Sequence, residues 1–318
     1  MVPRARRPPK ASAPRRAILG EAFANNGLAR ETRWHACCYL PAERHPPTPK
    51  DSNMRKAPQA FLLAAAGGFA LAGLAARAED PPAPDYTLTP KLALYSEYEY
   101  RGIGQSAEDP ALQFNLDFAH KSGFYVGTFL SSIKWLKDTA DANGFSTNAN
   151  VEWDLYGGYR WEFVKDWTLD VGYLRYEYPG SGAFDPKPNT DEVYAGISYG
   201  IASLKYSYSF HDTFGVPASK GSDYIELGLN YALPVLPALT LNGIVGHQRY
   251  KGTQASGFAN GDLSYTVWKA GATYDFGNGL NAGAYYKSTD ADAGLYTVKG
   301  RDWSRDRVVG FVSYARTF

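Results

Sequence analysis

The sequence predicts an all-β protein: a transmembrane antiparallel up-and-down β-barrel of about 12 strands, with short periplasmic turns and long extracellular loops. Three observations predict it. Beyond residue 90, apolar and polar residues alternate with a period of two, and no stretch of 12 residues holds a helical period. The segments between alternating runs are by turns short and long. A polytopic helical protein is excluded, because each spanning helix needs about 20 mostly apolar residues and only residues 60–76 approach that.

The front of the chain differs from the rest. Residues 1–78 hold 13 Lys and Arg against 4 Asp and Glu, residues 79–318 hold 20 against 28, and the formal net charge of +1 averages the two. Residues 1–53, rich in Pro and Arg, read as a non-native extension upstream of a true start at Met54, or as a disordered basic arm. In residues 54–78, Arg55 and Lys56 precede an Ala/Leu/Gly/Phe core, and Ala76-Arg77-Ala78 fits the small-x-small rule. A signal peptide cleaved after Ala78 is expected, with a retained helical anchor as the alternative. Both cysteines, Cys37 and Cys38, fall in this front part, so the chain from Glu79 onward forms neither a disulfide nor a thiolate metal site.

Residues 79–90 read as a Pro-rich periplasmic segment and residues 91–318 as the barrel. Period-two runs place strands near 91–100, 111–119, 124–133, 150–160, 167–178, 191–199, 202–210, 223–233, 239–250, 265–276, 280–288 and 307–318. In ALQFNLDFA, Leu112, Phe114, Leu116 and Phe118 alternate with Gln113, Asn115 and Asp117. FYVGTFLSSI has apolar residues on both faces and fits the pattern least well. The links 121–123, 162–166, 200–201, 234–238 and 277–279 are hairpin-sized. Between them fall longer ones built from Asp, Asn, Gly, Ser and Lys, which puts both termini at the short-turn end.

A soluble lipocalin-like barrel keeps the same period with its faces inverted. Two features favour the bilayer. Aromatic residues mark strand ends, with Trp161, Trp167, Tyr199, Tyr231 and Phe276 near short turns and Tyr98, Tyr100, Tyr178, Phe210 and Tyr265 near long loops, as two interfacial girdles would require. Charges also sit deep within the alternating runs, where a dry core could not hold them unpaired. The last run ends on Phe318, read here as the signal for the barrel assembly machinery of the outer membrane.

The blocks LYSEYEYRGIGQSAEDPALQ, HKSGFYVGTF, VEWDLYGGYRW, LDVGYLRYEYPG, DEVYAGISYG, LKYSYS and the terminal TF together resemble the TorF-like porins, the Gcw_chp family, over nearly all of the mature chain. Gly104 stands where that family commonly has Ser, and Phe129 where another aromatic such as Trp is usual. The resemblance implies an outer-membrane barrel of a Gram-negative bacterium, a porin without a settled substrate, and it supplies no catalytic residues.

The polar faces assign Glu97, Glu99, Asp117, Glu152, Asp154, Asp170, Glu192, Glu226 and Asp275 to the lumen, against Arg160, Lys205, Lys269 and Lys287. This excess of acids predicts a passive diffusion channel for small polar solutes with a weak preference for cations. The alternative is that the charges pair across the barrel as a plug, since about 8 strands give a filled barrel and about 16 an open one. The protein would then be a closed structural barrel binding partners through its long loops. A third reading, a lipid-modifying enzyme, rests on His211 near Ser209, a face that points away from lipid. Gly277-Asn278-Gly279 reads as a hairpin turn rather than a dinucleotide loop, and Asp290 and Asp292 as solvated loop acids rather than calcium ligands. No enzymatic activity, cofactor, metal or nucleic-acid partner is expected. The expected partners are outer-membrane lipid, the assembly machinery and small solutes.

Overall fold

The computed structural model describes residues 84–318. The expected signal peptide, its cleavage point after Ala78 and segment 1–53 lie outside the described residues. Twelve strands, each antiparallel to its neighbours, close into one barrel. They are β1 Tyr86–Tyr95, β2 Ala111–His120, β3 Phe124–Ser132, β4 Val151–Val164, β5 Trp167–Glu177 and β6 Thr190–Tyr199. Then follow β7 Ala202–Ser209, β8 Asp223–Leu233, β9 Leu236–Arg249, β10 Tyr265–Asp275, β11 Leu280–Thr289 and β12 Arg307–Ala315. Each pairs with the next, and β1 closes the circle on β12 through Lys91↔Ala315 to Tyr95↔Phe311. Backbone bonds between Leu88 and Phe318 (3.0 and 3.1 Å) extend this seam and bring both ends of the sheet to the short-turn side.

The first strand lies five residues earlier than its alternation suggests: it covers residues 86–95, and residues 96–100 leave the wall. Pro90 is tolerated there because β1 uses its carbonyl, which accepts Arg316 N at 3.2 Å. Elsewhere the strands fall within a few residues of expectation. β4 and β9 run to 14 residues each, shortening the turns to 165–166 and 234–235, with register shifts at Glu162/Val164 and Ala232/Leu233. In the turn before β11, Gly277, Asn278 and Gly279 all have positive φ, so the dinucleotide-like motif is a hairpin.

The two faces of the wall differ as a bilayer demands. Leu92, Val126, Leu155, Leu204, Leu227 and Val312 are exposed on the outside, while their neighbours in sequence turn inward. All hydrogen-bonding edges are consumed by closure, so no backbone group of the ladder is left for lipid. At the short-turn end Trp161, Trp167, Tyr199, Tyr231 and Phe276 are exposed as expected, with Trp167 stacked on Tyr199 at 4.6 Å. The other girdle needs correction. Tyr98, Tyr100, Tyr178 and Tyr265 are buried, and the exposed rings near the long-loop end are Trp153, Tyr173, Tyr206, Trp268 and Tyr286.

The long loops are packed rather than splayed. Residues 133–150 contain a helix that the alternating pattern did not predict, α1 Trp135–Ala142, whose Trp135 meets Tyr178 edge-on at 5.5 Å. Only Trp135, Leu136, Asp138, Thr139 and Ala140 are buried along it, too short a stripe to show a helical period. Lys299 from residues 290–306 bridges to Asp141 (2.9 Å) and Asp138 (3.4 Å) of α1, and its hydrogen bond holds the Asp141 carboxyl below the usual carboxylate range.

Candidate functional site

The first long loop, residues 96–110 and called L1 below, folds into the barrel. Its residues Glu99–Tyr100 and Ile103–Gly104 pair as a miniature hairpin whose tip is Arg101-Gly102. Both tip residues have positive φ (44° and 88°), a conformation that suits Gly102 and strains Arg101. The tip presses on the wall: a Cβ on Gly102 would lie 2.5 Å from Thr289 and 2.7 Å from Val267. L1 is held from behind by α1, since Lys134 N and Trp135 N both donate to Gln105 O (2.9 and 3.1 Å).

What holds L1 inside is charge pairing with the wall. Arg101 is 3% exposed and donates to both carboxylate oxygens of Glu192 on β6 (3.0 and 2.8 Å) and to Gln248 on β9 (2.8 Å). Its guanidinium lies over the Tyr224 ring, 4.2 Å from the centroid. On the other side Glu99 accepts Lys269 Nζ of β10 at 2.8 Å, and Glu97 meets Arg307 Nε of β12 at 3.2 Å. The ammonium of Lys287 on β11, fully buried, donates to Gly102 O at 2.8 Å.

These partners form two arcs. Lys269↔Lys287 and Lys287↔Arg307 are directly opposed in register, a ladder of three cations across β10, β11 and β12. Glu152, Asp154 and Glu192, all buried, stand on β4 and β6. In a ring of twelve strands, β4 to β6 lie diametrically opposite β10 to β12. Like charges directly opposed across a ladder are destabilising, so the cationic arc needs the carboxylates that L1 brings to it. On the acidic arc Tyr98 of L1 donates to Glu152 at 2.7 Å, while Asp154 Oδ1 is buried without a hydrogen-bond partner.

Towards the short-turn end the lumen is polar and partly accessible. Tyr125 donates to Asp170 at 2.5 Å, Arg160 reaches the same carboxylate at 3.2 Å, and Tyr156 donates to Asp117 at 2.6 Å. Lys205 sits 3.9 Å from the Tyr194 ring centroid, and Tyr224 donates to Glu226 at 2.8 Å. These rings lie flat because inward positions on neighbouring strands are glycines. A Cβ on Gly127 would lie 2.5 Å from the Tyr156 ring, one on Gly172 2.5 Å from Tyr194, and one on Gly283 2.7 Å from Phe311.

The structure thus places the sequence-assigned charges as follows. Asp117, Glu152, Asp154, Asp170, Glu192, Lys205, Glu226, Lys269 and Lys287 alternate with the lipid-facing residues of their strands. Glu97 and Glu99 do not stand on β1 but arrive on L1. Asp275 is exposed at the mouth, where it accepts Gly277 N at 2.7 Å. Sequence reasoning missed Lys91, Arg101 and Arg307 on the basic side, which raises that count from four to seven against nine acids. The signal was available in the Arg101-Gly102 pair, which interrupts the alternation of SEYEY as a turn would.

Ser209 and His211 do not meet. Ser209 is buried beside Glu192, whereas His211 is 61% exposed on its side chain and bonds Asp191 at 2.9 Å. Asp290 and Asp292 cap backbone, accepting Thr266 N (2.5 Å) and Gly294 N (2.8 Å). Among the described residues no three metal-ligating side chains are grouped.

A family model described as "Bacterial protein of unknown function (Gcw_chp)" matches residues 79–318. The chain belongs to the Gcw_chp family. No curated protein matches it. Solved structures similar to this Gcw_chp chain include a KdgM porin, 8% identical with a TM-score of 0.44, over 73% of this chain and 99% of that one. A NanC porin is 10% identical with a TM-score of 0.44, over 72% and 98%. An outer membrane channel from Pseudomonas putida F1 is 14% identical with a TM-score of 0.43, over 76% and 100%.

Proposed function

We propose that this Gcw_chp protein is an outer-membrane channel for small polar solutes, closed in the described conformation by L1. One observation carries the reading: a separate loop lies against the inner wall, held by ion pairs to two charged arcs. A barrel built only for structure has no need of charged arcs, because filling the same space with apolar side chains avoids the cost of dehydrating them. The partly accessible charges Asp117, Arg160, Asp170, Lys205 and Glu226 support a hydrated vestibule on the periplasmic side. With L1 out of the lumen the wall keeps seven of the nine acids and six of the seven bases, so cations are preferred only weakly.

Planar-bilayer recording tests this. Replacing residues 98–106 by a short Gly-Ser linker is expected to give discrete conductances that the wild type shows rarely or not at all. Silence from a folded, heat-modifiable loop-shortened barrel ends the channel reading in favour of a closed structural barrel. In the open variant, Glu152→Gln with Asp154→Asn is expected to move the reversal potential towards anions, and an unchanged potential refutes the role of this arc.

We also propose that Phe318 is the assembly signal. It is 61% exposed at the short-turn rim, with Arg316 5.1 Å from its ring. Its deletion is expected to lower the amount of heat-modifiable barrel in outer-membrane fractions several-fold, and normal levels would exclude the assignment.

A further inference from the structure

Without L1 the wall at the constriction is not neutral but polarised across its diameter. Lys269, Lys287 and Arg307 form one arc; Glu99 and Glu97, which meet Lys269 and Arg307, come from L1, as does the Gly102 carbonyl that accepts Lys287. Glu152, Asp154 and Glu192 form the facing arc, and the cation that meets Glu192 is Arg101, again from L1. The loop is therefore a dipolar peptide lying in a dipolar slot. Glu99 and Arg101 are separated by one residue, so the slot is bridged by side chains of a segment two to three residues long.

The Arg101 socket is built as a recognition site. Two carboxylate oxygens, an amide oxygen and an aromatic face converge on one guanidinium, which is the arrangement that binds such a cation most strongly. Beside it, Asp154 Oδ1 is buried without a hydrogen-bond partner, a further acceptor on the same arc.

We infer that the constriction is a binding site for short dipolar solutes, zwitterions of about dipeptide length, for which the Glu99-Tyr100-Arg101 segment of L1 is the resident stand-in. The cationic end of the solute takes the place of Arg101 at Glu192, and its carboxylate takes the place of Glu99 at Lys269, next to Lys287, which loses the Gly102 carbonyl when L1 leaves. A neutral sugar leaves both arcs unpaired in a buried place and is disfavoured for that reason. The inference deepens the channel reading and rests on it, because L1 must leave the slot before a solute enters.

The test is titration calorimetry on purified barrel with residues 98–106 replaced by the Gly-Ser linker, its folding checked by heat-modifiable migration. The dipeptide Arg-Glu is expected to bind at least about tenfold more tightly than Glu-Glu, with no heat from sucrose. Glu192→Gln and Lys287→Gln in that background are each expected to weaken Arg-Glu about tenfold. Equal affinity for the three probes, or indifference to both substitutions, overturns the site. Should the shortened variant fail to fold, full-length Arg101→Gln, which keeps the loop, takes its place. Binding is read without conduction, so the two readings fail separately. A variant that conducts but does not discriminate overturns the dipolar site alone, and one that binds Arg-Glu but never conducts overturns the channel.

Discussion

Arg101→Glu is expected to turn a closed barrel into a conducting one. The substitution adds a fourth buried carboxylate to Glu152, Asp154 and Glu192, while Gln248 and Tyr224 lose the cation they surround. Breaking a buried ion pair by removing one partner costs about 3–5 kcal/mol. Here the cost falls on the closed state alone, since L1 can swing out and rehydrate, so the ratio of closed to open barrels drops by more than about a hundredfold. Single-channel recording measures the open probability directly. The double variant Arg101→Glu with Glu192→Arg restores the pair with its sign reversed and is expected to close again. If Arg101→Glu is folded and as quiet as the wild type, this ion pair does not hold the loop.

Gly127→Val is expected to destabilise the barrel by about 1–3 kcal/mol, the usual range for overpacking. The three atoms nearest the new Cβ all belong to Tyr156: Cε2 at 2.5 Å, Cζ at 2.6 Å and the hydroxyl at 2.7 Å. The ring must swing into the lumen and surrender its hydrogen bond to Asp117. Tyr156→Ala in the same chain removes the obstacle, so the double variant is expected to recover most of the loss, the sign of a coupled pair. Urea-dependent folding into lipid vesicles checks both halves. Equal stability of Gly127→Val and wild type would show that the ring does not rest on the glycine.

The wall was legible because a closed sheet with lipid on one side and a polar interior on the other imposes a strict period of two. Leu112, Phe114, Leu116 and Phe118 show it in the sequence of β2, and in the structure Leu112 is exposed between the buried Ala111 and Gln113. L1 was misread for the same reason. Tyr98 and Tyr100 alternate with Glu97 and Glu99 because the hairpin also lies between two unlike surroundings, so its tyrosines mimic girdle rings and its glutamates mimic lumen charges. Alternation reports on environments and not on membership of a particular sheet. The charges of the site were mostly readable as inward-facing, but their pairing was not, since Arg101 and Glu192 are 91 residues apart and only closure of the ring makes them neighbours. The inward glycines under Tyr156, Tyr194 and Phe311 were invisible for want of a side chain, although each was a place where a strand interior lacked one without a turn to explain it.

The seam between β1 and β12 bears on the order in which these parts come together. Its partners, such as Tyr95 and Phe311, are separated by most of the described chain, the largest loop-closure entropy of any pairing in the barrel. All other ladders join consecutive strands and can zip locally, so this one is expected to form last. L1 springs from the end of β1, and its anchors Lys269, Lys287 and Arg307 stand on the final three strands. Those three contacts therefore wait for circularisation. The bonds of Arg101 to Glu192 and Gln248 and of Tyr98 to Glu152 involve strands outside the seam, so a nascent barrel is expected to pass through a stage in which L1 is only half held.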